Sequence, residues 1–296
     1  MSIDKGKPIK IFVMCRNKKR ELNMCINSII LRTRHPFEII IVDNASDDID
    51  TIRYLNSLSK QSGIQVHRNR NNLWVLGLNP ALKKYLNEGD NSYVVTDGDI
   101  VLPMPRGGMC WLERLLVEMS NNPVIGKLGL SLDLGYLANK PLFSKTFERE
   151  KTYYQNLKIG DNYIAPVDTT LALYRTDYFV MNIPRFYPGH GVLAKPHYYC
   201  CRTADSLVAK HVGWRSYSET QTQRSDDVSK VICFTLMGAY LDEAFLEKVP
   251  LFYRLFFKFF RPISRALWAV LVLSLQLIWF VRNSPTRLNE CQRKAK

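Results

Sequence analysis

No C-x-x-C pair occurs among the seven cysteines of this 296-residue chain, which argues against a zinc framework. Their odd count and irregular spacing, with Cys200 and Cys201 adjacent, read as free thiols of a reducing compartment. No G-x-G-x-x-G follows the first predicted strand, which argues against a dinucleotide fold. No G-x-x-x-x-G-K followed by Ser or Thr occurs either, which argues against a P-loop. Internal repeats and low-complexity tracts are lacking. The opening MSIDKGKPIK has no apolar core, so no signal peptide is expected there. Acidic residues are scarce at one end: residues 251–296 hold nine Lys/Arg and one acid, a charge of +8 out of a total of +14. A nucleic-acid-binding domain would carry its basic patch on the folded body, so nucleic acid is not an expected partner.

What is present is an ordinary globular composition, 46% hydrophobic and 23% charged, in a length that suits one large domain or two small ones. Residues 9–14 (IKIFVM) read as a first strand, and Leu22, Cys25, Ile26, Ile29 and Ile30 follow at helical spacing. Residues 37–42 (FEIIIV) are almost purely apolar, as in a strand buried on both faces. The run ends in Asp43-Asn44-Ala45-Ser46-Asp47-Asp48, a cluster of turn and N-cap residues. A helix over 50–59, a third strand over 64–67, a polar loop and a helix over 75–86 come next. Alternation at this spacing predicts βαβ units and an α/β fold with a mostly parallel sheet flanked by helices.

The fourth strand is in SYVVTDGDIVLP, residues 92–103. It delivers Asp97 and Asp99 at the edge where open α/β sheets bind ligands. Two carboxylates separated by one glycine, Gly98, can turn toward one Mg²⁺ or Mn²⁺, which prefers oxygen ligands and keeps phosphate oxygens in its shell. Taken alone, D-x-D is also a polar turn closing a strand. Strand-end loops at Arg16-Asn17, Asp43-Asn44 and Asp97–Asp99 fall on one sheet edge, which suits a nucleotide diphosphate carrying a sugar. Asp43 can accept from base or ribose, and a metal would neutralise the diphosphate leaving group.

With these residues in view, the chain resembles the GT-A fold glycosyltransferases of the inverting family 2 type. The resemblance is carried by IKIFVMCRNKKRELNMCINSI, FEIIIVDNASDD and SYVVTDGDIVL; it is firm over residues 9–103 and looser to about 220. It implies Asp43 for the nucleotide, Asp97 and Asp99 for the metal and diphosphate, and backbone at Thr96 and Gly98 near the same phosphates. Arg16 and Asn79 join the nucleotide-binding set. Where the family often carries an Arg-Asn pair, this chain reads Gly77-Leu78-Asn79, so Asn79 is present and the Arg is not.

Four later stretches supply candidates. In YIAPVDTTLALYR (163–175), Asp168 and Thr169 contact donor sugar or acceptor, or form an Asx-capped turn. In PGHGVLAKPHYY, His190 or His197 adds a metal ligand, or is a solvated loop histidine; His197 is the one named for the site. Asp205-Ser206 precede a predicted short helix ending at Gly213, with a strand over 214–217. The resemblance places the catalytic base at such a helix start, hence Asp205, with Asp168 second; the alternative for Asp205 is an N-cap. Residues 221–229 read as polar loop, where Arg224 meets phosphate or solvent.

Residues 251–281 close the chain with two predicted helices divided at Pro262. In the first, Arg254, Lys258, Arg261 and Arg265 form one stripe opposite Leu255, Phe256, Phe259 and Phe260, the pattern of a helix lying in a membrane interface. The second, 266–281, would reach roughly 24 Å against a hydrocarbon core of ~30 Å. Trp268, Trp279 and Arg282 suit interfacial anchoring. Peripheral, monotopic attachment at the cytoplasmic face is expected, with a single span or a soluble helix pair as alternatives. The division expected is a glycosyltransferase domain over 1–250 and a membrane-attachment segment over 251–296. The activity expected is transfer of a sugar from a nucleotide-diphosphate donor, a UDP-sugar first, to a lipid-linked or polysaccharide acceptor, with inversion and Mn²⁺ or Mg²⁺ as cofactor. A sugar-phosphate nucleotidyltransferase and a non-catalytic membrane-surface scaffold are the alternatives.

Overall fold

The structure is a computed structural model that describes residues 6–105, 107–178, 197–204, 207–217, 224–241 and 243–283. Its first half is built from β1 (Ile9–Cys15), α1 (Lys19–Arg32), β2 (Phe37–Asp43), α2 (Ile49–Leu58), β3 (Ile64–Arg68), α3 (Leu78–Tyr85) and β4 (Ser92–Asp97). The apolar runs of β1 and β2 lie side by side in parallel, with β3 outside β2 and β4 on the other side of β1. Side chains alternate across the sheet as a pleated strand requires. Ile11, Val13, Ile39, Ile41 and Val94 face one core, which α1 covers with Leu22, Cys25, Ile26 and Ile29. Phe12, Ile40, Val42, Tyr93 and Val95 face the other, covered by Leu78, Ala81 and Leu82 of α3. Being buried on both faces is why these strands are nearly pure Val, Ile and Phe. Asp48 starts α2, accepting from the Thr51 amide at 2.7 Å.

The second half contains β5 (Ile100–Val101), α4 (Trp111–Asn121), β6 (Ile125–Gly129), β7 (Ser131–Leu132), α5 (Gly135–Ala138), α6 (Ser144–Thr152), β8 (Lys158–Ile159), β9 (Asn162–Ile164), β10 (Leu171–Arg175), β11 (Tyr199–Arg202) and β12 (Val208–His211). The main sheet runs β3-β2-β1-β4-β10-β6-β11-β9-β8, and a small second sheet runs β5-β12-β7. The sheet is parallel over its first four strands and mixed beyond, because β10 enters antiparallel between β4 and β6. The β4–β10 register pairs Tyr93 with Tyr174, whose rings stack at 5.1 Å. It also sets the residues just before Leu171 beside Asp97.

The described residues close with α7 (Gly213–Tyr217), α8 (Arg224–Leu236), α9 (Glu243–Leu246) and α10 (Leu251–Arg282). Three expectations are corrected here. Residues 208–211 are strand, not helix, because they pair with both β5 and β7; residues 214–217 are helix, not strand. The polar stretch 221–229 runs into α8 from Arg224 onward. Pro262 does not divide the tail: α10 is one 32-residue helix through it. Proline removes the N–H that would bond the carbonyl four residues back, but its ring lies on the exposed side, where water can serve that carbonyl. The helix is long and apolar enough to associate with a membrane or to span one.

Candidate functional site

Two close approaches fix the D-x-D turn. The Gly98 amide donates to the Met14 carbonyl at 2.7 Å, so the turn is tied to the end of β1. A Cβ on Gly98 would sit 3.0 Å from that same carbonyl oxygen, which is why glycine separates the two acids. From the other side, β12 pairs His211 with Ile100, and the Val212 amide donates to the Asp99 carbonyl at 2.9 Å. Gly213 then passes so close that a Cβ there would lie 1.9 Å from Asp99 Oδ2. A side chain at 98 would press on the β1 backbone, and one at 213 would displace the Asp99 carboxylate.

These constraints gather Asp97, Asp99 and His211 with one potential ligand atom each inside 4.8 Å. Asp99 is buried; its Oδ2 meets the Lys18 ammonium at 3.3 Å, and its Oδ1 faces His211 Nε2 at 3.9 Å, too long for a hydrogen bond. Asp99 Oδ1 and His211 Nδ1 are buried without a hydrogen-bond partner. An orphaned buried acceptor costs about 1–3 kcal/mol, and a cation among these three side chains would relieve Asp99 Oδ1, which His211 Nε2 faces. The imidazole stacks on Trp214 at 4.6 Å. Burial lowers its pKa below the ordinary value, with Asp99 pulling the other way, so at neutral pH the ring keeps a lone pair to give. Burial, then the charges of Asp99 and Asp168, push the Asp97 carboxyl up to about 8, against the Thr169 hydrogen bond and Lys18. Two carboxylates and an imidazole suit Mn²⁺ or Mg²⁺.

The loops after β1, β2 and β3 are tied together on the same edge of the sheet. Asp43 is buried at the end of β2 and accepts from the Ser46 amide at 3.0 Å. Asn44 Oδ1 accepts from the Leu73 amide and from Asn69, while its Nδ2 donates to the Trp74 carbonyl and to Asn72. Asn17, Ala45 and Trp74, one in each loop after β1, β2 and β3, have positive φ of 48°, 60° and 50°. Left-handed backbone at non-glycine residues costs about 1–3 kcal/mol and gathers at functional sites. Side-chain bonds hold it: Asn17 Oδ1 accepts from the Asp47 and Asp48 amides, and Arg16 donates to the Ala45 carbonyl.

The sequence-predicted residues fall as follows. Asp43 and Asp97 end the strands on either side of β1, Gly98 and Asp99 follow in the turn, and Asp168 is near enough for its charge to act on Asp97. Arg16 reaches the same edge, where it pairs with Asp226 of α8 at 2.8 Å and binds the Asn44 and Ala45 carbonyls. Asn79 lies in the first turn of α3. His197 is not in the acid cluster; its ring lies tilted against Tyr198 at 4.2 Å and stacks on Trp279 of α10 at 5.0 Å, and the histidine beside the acids is His211. His190 and Asp205 lie outside the described residues. His211 went unmarked because its segment read as helix; alternation of Ala209 and His211 on one strand face was the signal. Thr169 Oγ1 donates to Asp97 Oδ2 at 3.0 Å, which ties the turn before β10 to the acid pair.

The sheet with an acidic D-x-D turn at its edge and a strand returning beside it fits the GT-A glycosyltransferase class that the sequence resembles. Residues 10–179 match Glycosyl transferase family 2, and the chain belongs to that family. Comparison with curated proteins found no match. Among solved structures, GalNAc-T7 with UDP, GalNAc and Mn²⁺ is similar at a TM-score of 0.51 and 12% identity, over 79% of this chain and 51% of that one. This chain thus spans about half the length of that protein. TarS residues 1–349 from S. aureus gives 0.47 at 14% identity, over 86% and 73%. The mannosyltransferase PcManGT from Pyrobaculum calidifontis, in complex with GDP-Man and Mn²⁺, gives 0.47 at 11%, over 99% and 81%. At these identities the likeness is one of fold.

Proposed function

We propose that the chain transfers a glycosyl group from a nucleotide-diphosphate sugar, a UDP-sugar first, to a lipid-linked or polysaccharide acceptor at the cytoplasmic face of a membrane, with inversion. The observation that carries the reading is the Asp97–Asp99–His211 cluster, with Asp43 at the end of β2 on the same sheet edge. The fold relative GalNAc-T7 was solved with UDP, GalNAc and Mn²⁺, which supports the donor and cation. Family membership supports inversion.

A divalent cation on this cluster supplies charge neutralisation for the leaving diphosphate. The protein's own groups do the rest. Asp43 accepts from the nucleoside, and the Asn17, Ala45 and Trp74 loops orient it. Lys18 adds a positive charge beside Asp99. A carboxylate takes the proton of the acceptor hydroxyl. Asp205 has that role in the reading carried from the family, and Asp168, whose Oδ1 accepts from the Thr169 amide, is second. Residues 1–250 make the transferase unit and 251–296 the attachment segment. The attachment reading is supported by the exposed apolar face of α10.

Incubation with a panel of nucleotide sugars and Mn²⁺ is expected to release a nucleoside diphosphate with one donor, and Asp99→Asn to lower turnover by about 10²–10³-fold, the scale of losing one group that stabilises developing charge. Release of pyrophosphate from a nucleoside triphosphate and a sugar phosphate would overturn the transferase reading. Full turnover by Asp99→Asn would overturn the site.

A further inference from the structure

Two buried cations lie under the site with no place in the chemistry above. Lys127 of β6 is fully buried; its ammonium donates to the Val167 carbonyl at 2.6 Å, lies 3.5 Å from that of Asp168, and sits 4.7 Å from the Tyr174 ring centre. Arg202 of β11 is also buried; it donates to the Pro166 carbonyl at 2.8 Å and is held from behind by Glu150 of α6 at 2.6 Å. Burying charge is costly unless every bond is satisfied, and an apolar residue of similar volume is often as stable or more so. Both cations spend their donors on three successive carbonyls of one irregular segment. That segment ends in Asp168 and Thr169, and Thr169 holds Asp97. Gly129 permits the approach: a Cβ there would lie 2.4 Å from Val167.

We propose that Lys127 and the Arg202–Glu150 pair are positioning residues that clamp the Pro166–Asp168 backbone so that the Thr169 hydroxyl keeps the Asp97 carboxylate turned toward Asp99 and His211. Neither touches substrate. Their effect passes through Thr169, as partners behind a ligand orient the ligand. The inference rests on the metal site proposed above.

The test uses the full chain with Lys127→Met, Glu150→Gln, Thr169→Val and the two double variants that include Thr169→Val. Mn²⁺ affinity is read by electron paramagnetic resonance, and kcat and donor KM by diphosphate release. Lys127→Met and Glu150→Gln are each expected to weaken Mn²⁺ binding about tenfold and to lower kcat more than they raise KM. In the Thr169→Val background the same substitutions should add less than about twofold, because the link they act through is gone. Glu150→Gln keeps the shape of the pair and carries the test if Lys127→Met does not fold. A reduced melting temperature with wild-type Mn²⁺ affinity and kcat would overturn the proposal, as would effects that multiply fully with Thr169→Val. Asp99→Asn separates the two readings: wild-type Mn²⁺ binding by that variant overturns the metal site itself, whereas loss of binding there beside unaffected Lys127→Met overturns the clamp alone.

Discussion

Asp97 and Asp99 are two residues apart and differ in what surrounds them. Asp99 has the Lys18 ammonium at 3.3 Å. Asp97 has burial and the charges of Asp99 and Asp168 around it, and its carboxyl is pushed up to about 8. A raised pKa means that without metal the group holds its proton at neutral pH, and a cation must displace that proton to bind. Mn²⁺ affinity is therefore expected to rise with pH, by up to about tenfold per unit for one released proton, and to level off above pH about 8. Titration calorimetry in buffers of different ionisation enthalpy reads the proton directly, and a flat affinity below that pH would refute the assignment. The two acids and Asp43 were legible in the sequence because apolar runs frame them. Lys127 was not. A lysine in IGKLG reads as a solvent-facing position, and only the return of residues 166–168 over β6 gives its ammonium partners. His211 was hidden for a similar reason: its neighbours in β5 and β7 are far away in sequence.

At the scale of elements, what was legible is what local pattern decides. β1 to β4 and the helices between them follow from runs and periodicity, whereas β12 and α7 depend on pairing and were read the wrong way round. The end of α8 shows local chemistry and docking acting together. The Gly238 amide donates to the Thr235 carbonyl and the Ala239 amide to that of Phe234, a Schellman cap with Gly238 at φ +65°. The cap lets α10 approach: a Cβ on Gly238 would lie 2.7 Å from Arg265 Cα. Around it Arg261 donates to the Ala239 carbonyl at 2.8 Å, and Trp268 Nε1 to that of Leu236 at 2.9 Å. This docking holds the helix on both sides of Pro262. Gly238→Ala meets the left-handed penalty of about 1–2 kcal/mol and a backbone clash besides. A fall of several degrees in melting temperature is expected, with faster proteolysis within α10. An unchanged melting curve and proteolysis pattern would show that the helix is held elsewhere.

Over the whole molecule, α8 links the Arg16 and Asn72 loops to the long helix. Asp226 at its start pairs with Arg16 and accepts from Asn72, and its capped end carries α10. On α10, the basic residues Arg254 and Arg261 turn inward to the Val249 and Ala239 carbonyls, and Phe257 is buried with Val231, Leu241 and Val249. The opposite side carries Phe252, Leu255, Phe259, Ile263, Leu267, Val270, Leu273, Leu277 and Val281, all exposed. Their spacings of three and four place them on one stripe along the whole helix. A spanning helix needs apolar residues all round over ~20 residues; a helix lying in the interface needs one apolar side along its full length. At ~1.5 Å per residue its 32 residues reach about 48 Å, well beyond the ~30 Å core. The stripe suits a helix lying in the plane, whereas residues 266–281, apolar on every side but for Ser274 and Gln276, also suit a span, and depth separates the two. Single cysteines placed at Phe252, Leu267 and Val281, labelled with an environment-sensitive dye on anionic vesicles, are expected for the helix in the plane to show one shallow depth with depth-resolved lipid quenchers. A depth that increases steadily from 252 through 267 to 281 would indicate insertion end-on. Absence of quenching at all three, with the chain sedimenting as a dimer, would give the stripe to a second copy.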